Sequence, residues 1–302
     1  MAPSGASAAA RAAHFVWLTA RVLEQRRFAF HFLGGGPEPV EAALTAYRLD
    51  DGGYGHALDP DLRGPVSQPL HTAHALRVLD EIGRCGGRRA EPVCRYLTAV
   101  STPDGALPAL HPSLRGHPAA PWFPLTEDPP SSLLTTGPVV GLLHRNAVWH
   151  AWLFRATDFC WAAVNALAAN GRPHPREVRA AVDFLDGVPD RPRAEAAADR
   201  LGRAVREQRL AVLDPGPGHR PGPEADGPCF PHDLVRTPAS LARPWFTDAE
   251  LTRSLDHLAA AQGEDGGWPA HHRSWAPAAE LEHRPLATIE ALLTLRAHGR
   301  PV

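Results

Sequence analysis

Apolar residues recur along the chain at helical spacing and almost nowhere in alternation. Phe15, Leu18 and Val22 punctuate an Ala- and Arg-rich stretch, predicting a helix over 6–32 that ends at Gly34-Gly35-Gly36. Further helices are predicted over 37–49, 67–82, 88–101, 138–146, 149–170, 174–185, 194–213, 248–262 and 280–298. Proline stands in the first turn of the second helix, and Gly83 and Gly171 stand where helices should stop. Proline-rich stretches at about 103–137 and 214–235 predict long loops. No sustained period-two run predicts a strand. The expectation is an all-α chain of about ten to twelve helices.

A repeat is superimposed on that pattern. Asp51-Gly52-Gly53-Tyr54-Gly55 precedes Pro69-Leu70-His71-Thr72, with Ala75-Leu76 following. Near the other end, Asp265-Gly266-Gly267-Trp268 precedes Pro285-Leu286-Ala287-Thr288, with Ala291-Leu292 following. Thr102-Pro103-Asp104-Gly105-Ala106-Leu107 is a degraded copy of the turn. Cys160 precedes Gly171 by the interval that separates Thr72 from Gly83 and Thr288 from Gly299, which predicts a middle copy centred on Cys160. One helix pair cannot bury its own apolar stripe, so repeated pairs must stack. Matching first and last copies favour closure into a ring. The predicted fold is therefore an (α/α)6-type toroid of helical hairpins, with residues 1–302 as a single domain.

Composition narrows the chemistry. A formal net charge of −2 gives no bulk attraction to nucleic acid or anionic lipid. The four cysteines, Cys85, Cys94, Cys160 and Cys229, form no Cys-x-x-Cys, which predicts a reducing, cytoplasmic setting. No stretch is apolar enough for a membrane span, and peripheral membrane contact stays compatible with the sequence.

The turn followed by a Thr-bearing helix resembles the repeats of class II terpene cyclases and of protein prenyltransferase β subunits. Ala261-Gln262-Gly263-Glu264-Asp265-Gly266-Gly267-Trp268 is similar to the Gln…Gly-x-Trp turn of squalene–hopene-type cyclases. The resemblance implies the toroid, a hydrophobic isoprenoid substrate, and cyclisation started by protonation in a central aromatic-lined cavity. On the middle copy, Asp158 falls on the aspartate that protonates the alkene in that family. Its flanking carboxylates are replaced here by Ala156 and Phe159. Asp158 is thus the first catalytic candidate.

Asp59 and Asp61, in Asp59-Pro60-Asp61-Leu62-Arg63, are the reserve acids and candidates for Mg²⁺ alongside a diphosphate, which Arg63 would pair with. Tyr54, His71, His74, Trp149, Trp161, Trp268 and Glu290 are the remaining candidate substrate-binding residues. Carbocations are stabilised by π faces, which gives the tryptophans their interest.

Two alternatives come with the resemblance. Asp158-x-Cys160 resembles the zinc pair of prenyltransferase β subunits, with His232, His271, His272 or His283 available as a further ligand. A toroid that binds a lipid or peptide without catalysis is the other.

Overall fold

The computed structural model describes residues 6–169, 173–216, 228–270 and 275–302. Among the described residues there are twelve α-helices and no strand. In chain order they are α1 (Ala8–Thr19), α2 (Val22–Phe32), α3 (Glu38–Thr45), α4 (Pro69–Glu81), α5 (Ala90–Ala99) and α6 (Leu133–Arg145). They continue with α7 (Ala151–Ala169), α8 (Pro175–Gly187), α9 (Arg191–Glu207), α10 (Pro231–Leu234), α11 (Asp248–Ala260) and α12 (Pro277–Ala297). None is long and apolar enough to cross a membrane.

Several predicted boundaries move: the helices expected over 37–49 and 194–213 end at Thr45 and Glu207, α10 lies in the predicted loop 214–235, and two further changes have a visible cause. The helix expected over 6–32 is interrupted at Ala20 and Arg21, both extended, and becomes α1 and α2. Neither residue is a breaker. The corner is held by side chains instead: Gln25 donates to the Ala20 carbonyl at 3.1 Å, and Arg21 pairs with Glu24 at 3.0 Å. Helix α6 starts at Leu133, inside the predicted loop, and carries Pro138 in its interior. The proline removes one bond, to the carbonyl of Leu134, a residue at the exposed edge of the helix. Gly171, the predicted stop of α7, lies outside the described residues.

The chain divides into two compact units, residues 44–210 and residues 1–43 with 211–302. In the first, α4 packs on α6 and α6 on α8, while α5 packs on α7 and α7 on α9. Contacts of α6 with α7 and of α8 with α9 join these two rows. Glycines set the closest approach, between α6 and α8. A methyl on Gly141 would come within 2.1 Å of the Asp183 carbonyl, and one on Gly187 within 1.9 Å of the Gly141 carbonyl. Only hydrogen side chains let the two backbones come this near. In the second unit α1 packs on α2 and α12, α2 on α12, and α10 and α12 on α11.

The repeated turn is built the same way three times. In each, an aspartate oxygen accepts the N–H two residues on: Asp51 from Gly53 at 2.9 Å, Asp104 from Ala106 at 3.3 Å, Asp265 from Gly267 at 3.1 Å. The glycine after the aspartate is left-handed, with φ of 89°, 86° and 89° at Gly52, Gly105 and Gly266. Its missing side chain admits a neighbouring helix, since a methyl there would meet Pro92, Arg155 or Arg11 at 2.3, 2.6 or 2.2 Å. Finally, a buried N–H donates to a threonine hydroxyl on a helix, one turn into α4 and α6 and three turns into α12. The pairs are Tyr54 to Thr72 at 3.2 Å, Leu107 to Thr136 at 2.8 Å and Trp268 to Thr288 at 2.9 Å.

The middle copy is therefore centred on Thr136 in α6, not on Cys160 in α7. Its helix ends at Ala147, left-handed at φ 52°, where the other copies use Gly83 and Gly299. An alanine in the glycine position is what displaced the register read from the sequence.

In the last copy Gln262 donates to the carbonyls of Ala8 at 2.9 Å and Gly266 at 2.8 Å, tying the turn to α1. Arg284 pairs with Asp265 at 2.8 Å and lies over the Phe15 ring. That arginine is the main reason the Asp265 carboxyl is held below its ordinary range.

These contacts can be tested by substitution. Gly141→Ala, whose methyl would meet a backbone carbonyl, should lower stability by about 3 kcal/mol or more through overpacking. Gly299→Ala, at φ 69° in open space, should cost only about 1–2 kcal/mol of left-handed strain. Equal losses in urea denaturation would count against the α6–α8 seam. Thr288→Val should cost roughly 1–3 kcal/mol by orphaning the buried Trp268 N–H. Thr288→Ser should stay within about 1 kcal/mol of wild type, the worth of the lost methyl; a serine variant as unstable as the valine one would refute the hydrogen bond's role.

Candidate functional site

The first copy differs from the other two in the segment after its turn. Beyond Tyr54 the chain makes a short loop, Gly55 to Gly64, that carries both reserve acids. His56 and Ala57 are consecutively left-handed, at φ 56° and 58°. Each such residue costs about 1–2 kcal/mol, so the surroundings must hold the loop in place. They do so at several points. The His56 N–H donates to the Gly64 carbonyl at 3.0 Å, closing the loop on itself. The Arg63 N–H donates to Pro118 at 2.9 Å, and the Ala120 N–H to the Asp61 carbonyl at 2.8 Å. Beneath, Leu62 is buried with Leu110 and Leu114, and Val66, Leu70 and Phe123 pack against them.

Helix α4 grips the loop from the other side. The Gln68 N–H donates to the Tyr54 carbonyl at 3.0 Å, and Thr72 accepts the Tyr54 N–H. One residue before Thr72, the His71 Nδ1 accepts the Asp59 N–H at 2.9 Å. Asp59 in turn accepts the Asp61 N–H on Oδ1 at 3.0 Å, closing an Asx turn. Asp61 is 6 % exposed and Asp59 is half-buried. His71 is wholly buried and His74, one turn on, nearly so. Gln68 extends the clamp: its side chain donates to the Ser113 hydroxyl at 2.9 Å and accepts the His111 N–H at 2.9 Å. Nothing in the sequence singles out Gln68, because its partners lie more than forty residues away. Proline turns and glycines mark the loop itself, but not its left-handed pair.

The structure thus brings Tyr54, Asp59, Asp61, Arg63, His71 and His74 onto one loop and the first turns of one helix. The remaining candidates lie elsewhere. Asp158 sits in the middle of α7 and is exposed, whereas a proton donor to an alkene needs a shielded site. Cys160, two residues on, is fully buried on another side of the helix. Residues at i and i+2 do not face each other, so the predicted zinc pair does not converge. Burial also pushes the Cys160 thiol well above its ordinary range, away from the thiolate that zinc binds. His271 and His272 lie outside the described residues. Among the described residues no three His, Cys, Asp or Glu side chains group as metal ligands.

The three candidate tryptophans have separate surroundings. Trp149 is 83 % exposed. Trp161 is core, edge-on to Phe184 with the Arg193 guanidinium 4.0 Å above its ring. Trp268 is core in the other unit, its indole N–H given to the Leu258 carbonyl at 2.7 Å. Glu290, also in that unit, pairs with Arg236 at 3.1 Å.

No family model matches the chain. It is 29 % identical, over 282 residues and 88 % of its length, to the drimenyl diphosphate synthase of Streptantibioticus cattleyicolor. The match takes in 48 % of that synthase, so the chain spans about half the length of the curated relative it matches. The chain is a distant relative of a terpene synthase.

Proposed function

We propose that the chain is a terpene cyclase, or a part of one, that acts on an isoprenoid diphosphate by protonation-initiated cyclisation. The reading carries the (α/α)6-type toroid with it. The reaction class is supported by the similarity to drimenyl diphosphate synthase together with the repeated turn. The site is supported by a single observation: a nearly buried Asp61 on a strained loop that the rest of its unit clamps from both sides.

In this reading Asp61 gives its proton to a terminal alkene carbon. The neighbouring carbon becomes cationic, the next double bond attacks it to close a ring, and a proton is finally lost to a base. The protein's task is to present one carboxyl at one place and exclude water from the cation. Asp59, Arg63 and His74 would meet the polar end of the substrate. Mg²⁺ usually binds through one or two carboxylates plus phosphate oxygens; with Asp61 committed as the acid, Asp59 would be the one carboxylate offered to it. Asp158 is not favoured as the acid because of its exposure.

The test is turnover of geranyl, farnesyl and geranylgeranyl diphosphate, with and without Mg²⁺, read as cyclised product. Asp61→Asn should reduce kcat by at least ~10²-fold, the low end for a lost general acid. Asp158→Asn should stay within about twofold of wild type, as for an ordinary surface position. Full activity in Asp61→Asn would move the acid elsewhere; loss confined to Asp158→Asn would return it to α7. No turnover by the wild type, with a prenyl diphosphate bound, would favour a binding protein.

A further inference from the structure

The three copies of the turn serve as internal controls for one another. All place a threonine hydroxyl under the turn, so that contact belongs to the scaffold. The residue just before the threonine is His71 in the first copy, Thr135 in the middle one and Ala287 in the last, and it is buried in all three. Only the first copy is followed by Asp-Pro-Asp. Only there does the preceding residue present an imidazole, and that imidazole engages the first of those aspartates.

We propose that His71 is the positioning residue of the acidic loop. This rests on the loop being the reactive site. Its Nδ1 accepts the Asp59 N–H at 2.9 Å, which fixes the neutral tautomer with the proton on Nε2. A partly buried N–H still costs free energy to orphan, so this contact sets where Asp59 lies against α4. Asp59 Oδ1 then accepts the Asp61 N–H, and the orientation of Asp61 follows from that of Asp59. The relay is short: α4 places His71, His71 places Asp59, Asp59 places Asp61. With His56 and Ala57 left-handed just upstream, the loop has a strained conformation to relax from once the relay is cut.

The geometry singles out one side chain as a substitute. Asparagine carries Oδ1 as many bonds from the backbone as the Nδ1 of histidine, so His71→Asn keeps an acceptor for the Asp59 N–H. His71→Leu fills the space and offers none. Amide exchange of the full chain, read residue by residue by NMR, is the first measurement. The Asp59 amide should be protected in wild type and in His71→Asn, and should exchange about tenfold faster or more in His71→Leu. Turnover of farnesyl diphosphate is the second. There kcat should fall about 10- to 100-fold in His71→Leu with KM little changed, and recover in His71→Asn.

Thr136→Val removes a comparable hydrogen bond in the copy without the acidic loop. It should lower the melting temperature while leaving kcat unchanged, which separates positioning from general loss of stability. Unchanged Asp59 exchange in His71→Leu, or an asparagine variant as impaired as the leucine one in both measurements, would overturn the proposal. If wild type turns over no prenyl diphosphate, the enzymatic reading fails, and the exchange data alone decide whether His71 holds the loop.

Discussion

The close approach of a helix to the repeated turn is the constraint on which the described structure depends. A left-handed glycine lets the backbone of Pro92 or Arg11, or the Cβ of Arg155, come within a distance that any side chain would forbid. That contact seals the turn from water, and a sealed turn must satisfy its own backbone. The aspartate takes one N–H and the threonine hydroxyl takes another. Asp, Gly and Thr are therefore a single device: the glycine creates the burial, and the other two make the burial tolerable. Losing the threonine hydroxyl orphans a buried N–H, while losing the exposed aspartate unmakes a partly buried bond at smaller cost.

The acidic loop uses the same device for a different end. Once Tyr54 is fixed by Gln68 and Thr72, the chain leaves the turn from a defined point in a defined direction. The loop beyond it need not be stable by itself. It contains two left-handed residues without glycine's tolerance, and the bonds to Pro118, Ala120 and His71 hold it. The scaffold's stability thereby offsets the strain held at His56 and Ala57, just before the two carboxylates. This is the arrangement expected where strain serves a site, and neither other copy has an Asp-Pro-Asp sequence.

The sequence was legible where physics is local. Helix positions followed from apolar spacing, and the first and last turns from their glycines. It was illegible where the deciding contact is distant or where an unexpected residue fills a familiar role. Ala20 and Arg21 bear no mark of a break, because Gln25 and Glu24 make the corner through their side chains. Pro138 reads as a helix start, yet α6 tolerates it since the carbonyl it abandons belongs to an exposed residue. Counting back from terminal glycines misplaced the middle copy because Ala147 adopts the left-handed conformation that glycine usually takes. With that register went Asp158 as first candidate. The loop survived as a candidate because its acids, unlike Asp158, owe nothing to the placement of the middle repeat.

The exposure of Asp158 is also consistent with the proposed placing of a shielded acid on a loop. In α7 the buried stripe is taken by Trp152, Leu153, Ala156, Cys160, Trp161 and Val164, which pack against neighbouring helices. A carboxyl could enter that stripe only by displacing a core side chain and burying its charge among apolar atoms. On the Asp59–Asp61 loop the backbone itself supplies donors: the Asp61 N–H serves Asp59, and α4 and the segment around Pro118 hold the rest. A loop pinned by backbone hydrogen bonds can bury a carboxyl without sacrificing helix packing. In the proposed reading the helices provide the rigidity and the irregular chain between them the chemistry.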